Sequence, residues 1–240
     1  MEAMIFAAGL GTRLQDETVD KPKALVEVGG LTLLQRAIEK ITRAGATRIV
    51  VNAHHFADLV NQFTESKRWE VPVFISDESE LLLETGGGLK KAAPFFSGKD
   101  PILLYNVDVL TSINLKLLCK KHLESGALAT LAVRKRETQR YFKFDNEMQL
   151  VGWINKQNGD KKISKIENFE NAQEFAFSGI HFVQPQIFEY MFPEERFSIV
   201  ELYLELAKTR QIKGIYDQSE LWMDVGKPSE LEAARKKFKV

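Results

Sequence analysis

The sequence of 240 residues predicts an α/β fold: a mixed, mainly parallel sheet flanked by helices. Three observations carry that expectation. Short apolar runs without polar alternation recur at residues 3–8, 48–53 and 101–107, the pattern of strands buried on both faces. Stretches with helical periodicity separate them, as in βαβ units. Glycines and charged side chains gather where these strands end, the side on which open α/β sheets bind ligands.

Length and composition narrow the classes. The chain suits one α/β domain with insertions, residues 1–240, and is too short for two full-sized ones. Apolar residues make up 44% and charged residues 28%, so the chain is expected to fold throughout. Lysine plus arginine equals aspartate plus glutamate at 33 each, which argues against nucleic acid or an anionic membrane as partner. Cys119 is the single cysteine; its helical surroundings mark it as a packing residue, and its solitude points to a reducing cytoplasm. No leader pattern or apolar run long enough for a bilayer is seen.

The first strand, residues 3–8, runs into Gly9 and Gly11, where the backbone can turn tightly and bring N–H groups to a ligand. Arg13 and Lys23 add two cations, so an anionic, phosphorylated ligand is expected. A dinucleotide fingerprint would need a small residue at Leu14, and a P-loop would need Gly-Lys-Ser/Thr; neither is present. Residues 24–28 and the Gly29-Gly30 turn lead to a helix over 32–44, opened by a Thr32/Gln35 capping box. The second strand, 48–53, ends in Asn52-Ala53-His54-His55, followed by a short helix over 56–64. Adjacent histidines point to opposite faces of an extended chain, which favours structural or base-proximal roles over a metal site. A third strand, 71–76, and an acidic loop precede Glu84-Thr85-Gly86-Gly87-Gly88. There, three glycines at a helix start are expected to expose main-chain groups that can read a base edge.

The fourth strand, 101–107, delivers Asn106 and Asp108 at its end, where a carboxylate can hold a hard cation. A helix over 114–125 and a strand over 127–135 follow. Arg134, Lys135, Arg136 and Arg140 form a basic cluster, either a solvated face or a contact for a sugar phosphate. A hairpin of 143–145 and 150–154 and a polar loop over 155–162 depart from βα alternation and are expected to form a small inserted lobe. The strand 174–183 contains Ser178-Gly179, an interior glycine of the kind that marks close approach, and His181, read as a core histidine. Helices over 185–191 and 198–208, a strand over 211–217, the segment Trp222-Met223-Asp224-Val225-Gly226 and a helix over 229–238 complete the chain.

The order Gly9-Leu10-Gly11-Thr12-Arg13-Leu14 with Pro22-Lys23 resembles the signature of the sugar-1-phosphate nucleotidyltransferases, with Asp16 where many members carry proline. The closing Trp222-Met223-Asp224-Val225-Gly226-Lys227-Pro228 is similar to the family's Trp-x-Asp-Val-Gly-Thr-Pro. This resemblance implies a Rossmann-like sheet with an inserted sugar-binding lobe, a nucleotide part over about 1–110 and a sugar part over about 111–240. It further implies catalytic cations at Arg13 and Lys23, and magnesium held by Asp108 and Asp224. The nucleotide would lie on Ala8, Gly9, Gly11, Thr12, Asn52, Thr85, Gly86 and Gly87, and the sugar phosphate on Asn106, Glu167 and Gly179. Val107 replaces a usual glycine, and Asn168 a usual lysine. Leu83-Glu84-Thr85-Gly86-Gly87-Gly88 looks most like the subgroup that joins UTP to N-acetylmuramic acid 1-phosphate. Guanylyltransferases for mannose or heptose 1-phosphate are the alternative, and a catalytically silent nucleotide-sugar-binding regulator is a further one.

Overall fold

The computed structural model describes residues 1–238, with only the backbone described at Gln15; the last two residues of the expected 1–240 domain lie outside the described residues. In chain order the first elements are β1 (Glu2–Phe6), β2 (Glu27–Val28), β3 (Leu31–Thr32), α1 (Leu33–Arg43), β4 (Ile49–Ala53), α2 (Ala57–Glu65), β5 (Val73–Asp77) and α3 (Glu84–Ala92). Then come β6 (Ile102–Asn106), β7 (Val109–Thr111), α4 (Leu115–Ser125), β8 (Ala129–Arg134), β9 (Arg140–Phe144), β10 (Leu150–Asn155), β11 (Lys161–Ile163) and α5 (Ile166–Phe169). The last are β12 (Gln173–Val183), α6 (Ile199–Leu206), β13 (Ile212–Tyr216), β14 (Trp222–Asp224) and α7 (Pro228–Lys237). Among the described residues no helix is long and apolar enough to cross a membrane.

One mixed sheet of ten strands organises the molecule. Its parallel part runs β6-β1-β4-β5, as the apolar runs anticipate. Alternate β1 side chains feed two cores: Ala3 and Ile5 pack with α1, α2, α4 and α7, while Met4 and Phe6 pack with α3 and α6. Burial on both faces is why β1 shows no polar alternation.

β12 joins this half to the rest. It runs antiparallel to β6 and β8 at its carboxyl end and to β9 at its start, so the β9–β10–β11 meander continues the same sheet. The stretch expected as a polar loop over 155–162 therefore enters a strand at Lys161, and Trp153 pairs with Lys162. The β12–β8 register breaks between Phe177 and His181. Gly179 lies in that break at φ +75°, and a Cβ there would come within 2.8 Å of Val109 and 3.0 Å of the Asn106 amide.

Local signals behave unevenly. Thr32 accepts the Gln35 N–H at 3.1 Å, but the Gln35 side chain turns to Glu39, so only half of the capping box forms. Ser198 likewise accepts from Val200 at 3.2 Å, while Glu201 bonds Lys162 of β11 at 2.6 Å. The short antiparallel pair β7–β14 stands apart from the main sheet and matters most for the site, because it sets Asp224 opposite Val109.

Candidate active site

The glycine loop leaves the carboxyl end of β1. Ala8 is buried at its root, whereas Gly9, Thr12 and Arg13 are exposed, and among the described residues nothing lies within 4 Å of where a Gly9 Cβ would stand. Gly11 is in the left-handed region at φ 68°, and its carbonyl accepts the Thr18 hydroxyl at 3.1 Å. The Lys23 Cβ lies 3.3 Å from where a Gly11 Cβ would be, so loop and lysine are packed together.

Asn52 fixes the loop from below. Its Oδ1 accepts the Ala7 N–H at 2.8 Å and its Nδ2 donates to Glu78 Oε1 at 2.8 Å. Both residues are buried, and burial raises the Glu78 carboxyl above the ordinary glutamate range. Glu78 is a site-supporting residue that sequence reasoning missed. It stands in an acidic loop between Asp77 and Glu80, where nothing marks one carboxylate as buried. His54 contacts the Glu78 carbonyl through Nδ1 at 2.6 Å, consistent with a structural role for that histidine.

The structure corrects the expectation of exposed main-chain groups at the glycine run of α3. The N–H groups of Gly86 and Gly87 both point to the Phe197 carbonyl, at 2.9 and 3.2 Å. Thr85 Oγ1 accepts the Ile199 N–H at 3.1 Å, and Glu84 pairs with Arg196 at 3.1 Å. Close approach explains the glycine at 87, where a Cβ would fall 2.0 Å from the Glu195 carbonyl oxygen. The segment before α6 thus covers the groups that the sequence suggested were free. Their partners are more than a hundred residues away, and no local pattern announces them.

The charged centre lies at the edge formed by β6, β7 and β14. Lys23 Nζ donates to Asp108 Oδ2 in an ion pair, with the Lys23 side chain 10% and the Asp108 side chain 22% exposed. The Val225 N–H bonds the Asp108 carbonyl at 2.9 Å, tying the segment after β14 to the one after β6. Asp224 projects into the same space. Burial first, and the neighbouring Asp108 second, push its carboxyl above the usual aspartate range, with Lys23 and Arg13 opposing. Its Oδ1 is buried with no hydrogen-bond partner among the described residues. A Cβ on Gly226 would lie 2.8 Å from that oxygen and 3.2 Å from Arg13 Nη2, which brings Arg13 to the same corner.

Two cavities meet here. A cleft of about 920 Å³ holds Arg13, Arg136, Trp222, Asp224 and Glu230 on its walls. A smaller pocket of about 250 Å³ is lined by Asn106, Gly179, Trp153, Phe177, Trp222 and Asp224. Asn106 and Gly179 are thereby brought beside Asp224. Glu167 is not: it is exposed on α5, and no hydrogen bond or ion pair joins it to this cluster among the described residues. Of the basic cluster, Arg134 pairs with Asp217 at 3.3 Å, whereas Arg136 and Arg140 face the cavities.

Chemically the corner offers two carboxylates, two cations and a buried oxygen lacking a donor. That set suits a hard cation, which prefers oxygen ligands and would relieve both the orphaned Asp224 oxygen and its repulsion from Asp108. No group of three or more histidine, cysteine or acidic side chains with metal-binding placement exists among the described residues. A magnesium ion taking one or two carboxylates needs none, since substrate phosphates and water complete its shell.

A family model described as nucleotidyl transferase matches residues 2–239. The N-acetylmuramate alpha-1-phosphate uridylyltransferase of Caulobacter vibrioides is 33% identical over 243 residues, which cover 97% of this chain and 94% of that protein. The mannose-1-phosphate guanyltransferase of Aspergillus oryzae is 28% identical over 96% of this chain, which spans 62% of that relative. HddC from Yersinia pseudotuberculosis shares the fold at a TM-score of 0.77 and 23% identity, covering 99% of each chain. A UDP-glucose pyrophosphorylase from Acinetobacter baumanii does so at 0.76 and 17%, covering 99% of this chain and 92% of the other. With a family model matched from end to end and a relative 33% identical along nearly its whole length, the chain belongs to the nucleotidyl transferase family of enzymes.

Proposed function

We propose that this chain transfers a uridylyl group from UTP to N-acetylmuramic acid 1-phosphate, giving the nucleotide sugar and pyrophosphate. The observation that carries the reading is the union of Lys23, Asp108 and Asp224, three residues remote in sequence, at one sheet edge beside Arg13. In this reaction an oxygen of the sugar phosphate forms a bond to the α-phosphorus of the triphosphate. The bond from that phosphorus to the bridging oxygen breaks, and pyrophosphate leaves with the electron pair. No protein nucleophile is needed, so the catalytic task is positioning and charge neutralisation.

We assign the triphosphate to the loop of Ala8, Gly9, Gly11 and Thr12, with Arg13 on its phosphates and Lys23 toward the α-phosphate. Lys23 is half of an ion pair, so its ammonium is held in place before substrate arrives. Asn52 supports the loop by holding the Ala7 N–H. Asp108 and Asp224 would hold magnesium, which supplies Lewis-acid neutralisation of phosphate charge when bound. The sugar is assigned to the pocket of Asn106 and Gly179, where Trp153, Phe177 and Trp222 offer flat apolar faces. This divides the chain into a triphosphate part over about 1–110 and a sugar part over about 111–240, with Asp224 returning to the first.

The choice of uridylyl rests on the Caulobacter relative, matched along 94% of its length at 33% identity, against 62% and 28% for the Aspergillus guanyltransferase. A matrix of triphosphates against sugar 1-phosphates, read as released pyrophosphate, tests it. UTP with N-acetylmuramic acid 1-phosphate is expected to exceed GTP with mannose 1-phosphate by at least about tenfold in kcat/KM, roughly 1.4 kcal/mol in transition-state binding. Equal rates, or a preference for the guanylyl pair, contradict the substrate assignment.

A further inference from the structure

The loop that carries Arg13 has little in its own sequence to hold it still. Between Gly9 and Asp20 it contains two glycines and no proline, and past Gly11 it winds into a short 3-10 turn over Thr12–Thr18. Leu14 is buried in the core and anchors one side of that turn. Glu17 anchors the other. Its carboxylate oxygens accept from Arg235 Nη1 at 2.5 Å and Nη2 at 2.9 Å, a paired fork that fixes distance and orientation together.

Arg235 is itself held. Its Nε donates to the Glu27 carbonyl at 3.2 Å, so each of its three side-chain nitrogens has a partner. It projects from α7, whose Leu231 and Ala234 are buried in the same core as Leu14. At the start of α7, Glu230 Oε2 accepts the Gly226 N–H at 3.1 Å, two residues after Asp224. Just past its end, a Cβ on Gly29 would fall 2.1 Å from the Phe238 carbonyl oxygen, and the Arg36 guanidinium stands over the Phe238 ring at 4.8 Å. One fixed helix therefore touches both the segment that carries Asp224 and the loop that carries Arg13. The Glu17 carboxyl is lowered and the Arg235 guanidinium raised from their ordinary values, in each case first by the hydrogen bonds between them.

We propose that Arg235 is a positioning residue for the triphosphate: by clamping Glu17 to α7 it holds the glycine loop, and Arg13 with it, where the phosphates bind. The proposal rests on the nucleotidyl-transfer reading above. The pair is partly exposed, at 42% for the arginine side chain and 31% for the glutamate, so it adds little to global stability. Its effect lies in where the loop stands before UTP arrives. A loop free to swing carries Arg13 away from the corner in part of the population, and the apparent affinity falls by that fraction. Lys23 has a separate anchor in Asp108, so the chemical step is spared.

Steady-state kinetics of Arg235→Ala, Glu17→Ala, the double variant and Arg235→Lys test this, with melting temperatures alongside. Arg235→Ala and Glu17→Ala are each expected to raise the KM for UTP about fivefold, while kcat and the KM for N-acetylmuramic acid 1-phosphate stay within about twofold. The double variant should be no worse than either single one, as for two halves of one contact. Arg235→Lys, which keeps the charge and loses the fork, should recover part of the loss. Melting temperatures should move by less than about 3 °C. An unchanged UTP KM in Arg235→Ala overturns the proposal. So does a rise that Glu17→Ala fails to reproduce, which would make the arginine a neutraliser of loop charge rather than a clamp, and so do effects that multiply in the double variant. A general fall in melting temperature and in every kinetic constant would reduce the pair to a structural contact and overturns it equally. Wild-type protein that releases no pyrophosphate with any triphosphate and sugar phosphate would sink the nucleotidyl-transfer reading instead, a result visible before any variant is made.

Discussion

Lys23 and Asp108 form an ion pair across 85 positions of sequence, and Asp224 comes alongside with a carboxylate oxygen that has no donor among the described residues. The pairing orients Lys23 toward the carboxylates, whereas Arg13 reaches the corner from an exposed position on the loop. The two cations should therefore respond differently to removal. Lys23→Ala is expected to lower kcat more than it weakens UTP binding, and Arg13→Ala chiefly to raise the KM for UTP. A Lys23→Ala variant altered only in sugar affinity would overturn these roles.

Asp224 is burdened by burial and by Asp108, so its charged form is disfavoured in the fold. Replacing it with asparagine removes the charge while keeping the shape. Asp224→Asn is expected to raise the melting temperature without ligands by a few degrees, about 2–4 °C per kcal/mol for a chain of this size. A lower melting temperature would mean that the carboxylate makes a net stabilising contact.

The glycine run of α3 makes a sharper structural test. Because a Cβ at Gly87 would meet the Glu195 carbonyl oxygen at 2.0 Å, Gly87→Ala must displace the segment before α6. A loss of roughly 1–3 kcal/mol in unfolding free energy is expected, the range for forcing an extra carbon into a packed site. A variant of unchanged stability with only a higher UTP KM would restore the direct nucleotide role read from the sequence.

Two buried histidines set an acid limit. Burial pushes His122 down to about 4 and His181 down to about 3, from an ordinary value of about 6.5. Both are neutral in the fold, and His181 Nδ1 meets the Tyr203 hydroxyl at 2.6 Å. With folded pKa values below the unfolded ones, their stabilising contribution is full above about pH 6.5 and falls as pH drops, because the unfolded chain then binds more protons. His122 stops contributing to the slope near 4 and His181 near 3. His181→Gln should flatten the pH dependence of stability over this window, and denaturant unfolding at pH 5 and 7 measures it. Parallel curves for variant and wild type would refute the assignment.

Much of this was legible in the sequence, for identifiable reasons. The double burial of β1, β4 and β6 leaves an unbroken apolar pattern, and the carboxyl ends of such strands are where ligands bind. Lys23, Asp108 and Asp224 could be named because each stands in a recognisable local motif. Glu78 and the Gly86–Phe197 contact could not, since their meaning comes from partners on other elements. Arg136 was visible only as one of four neighbouring cations; Asp217 separates it from Arg134 by pairing with one and not the other.

The central claim is that Asp108 and Asp224 act as one unit in catalysis. Turnover of Asp108→Asn, Asp224→Asn and the double variant, measured as pyrophosphate release at saturating magnesium, UTP and N-acetylmuramic acid 1-phosphate, addresses it directly. Each single variant is expected to lose about a hundredfold or more, and the double variant little beyond the worse single, as for residues that serve one function together. Near-normal turnover in either single variant, or losses that multiply in the double, would contradict a shared site.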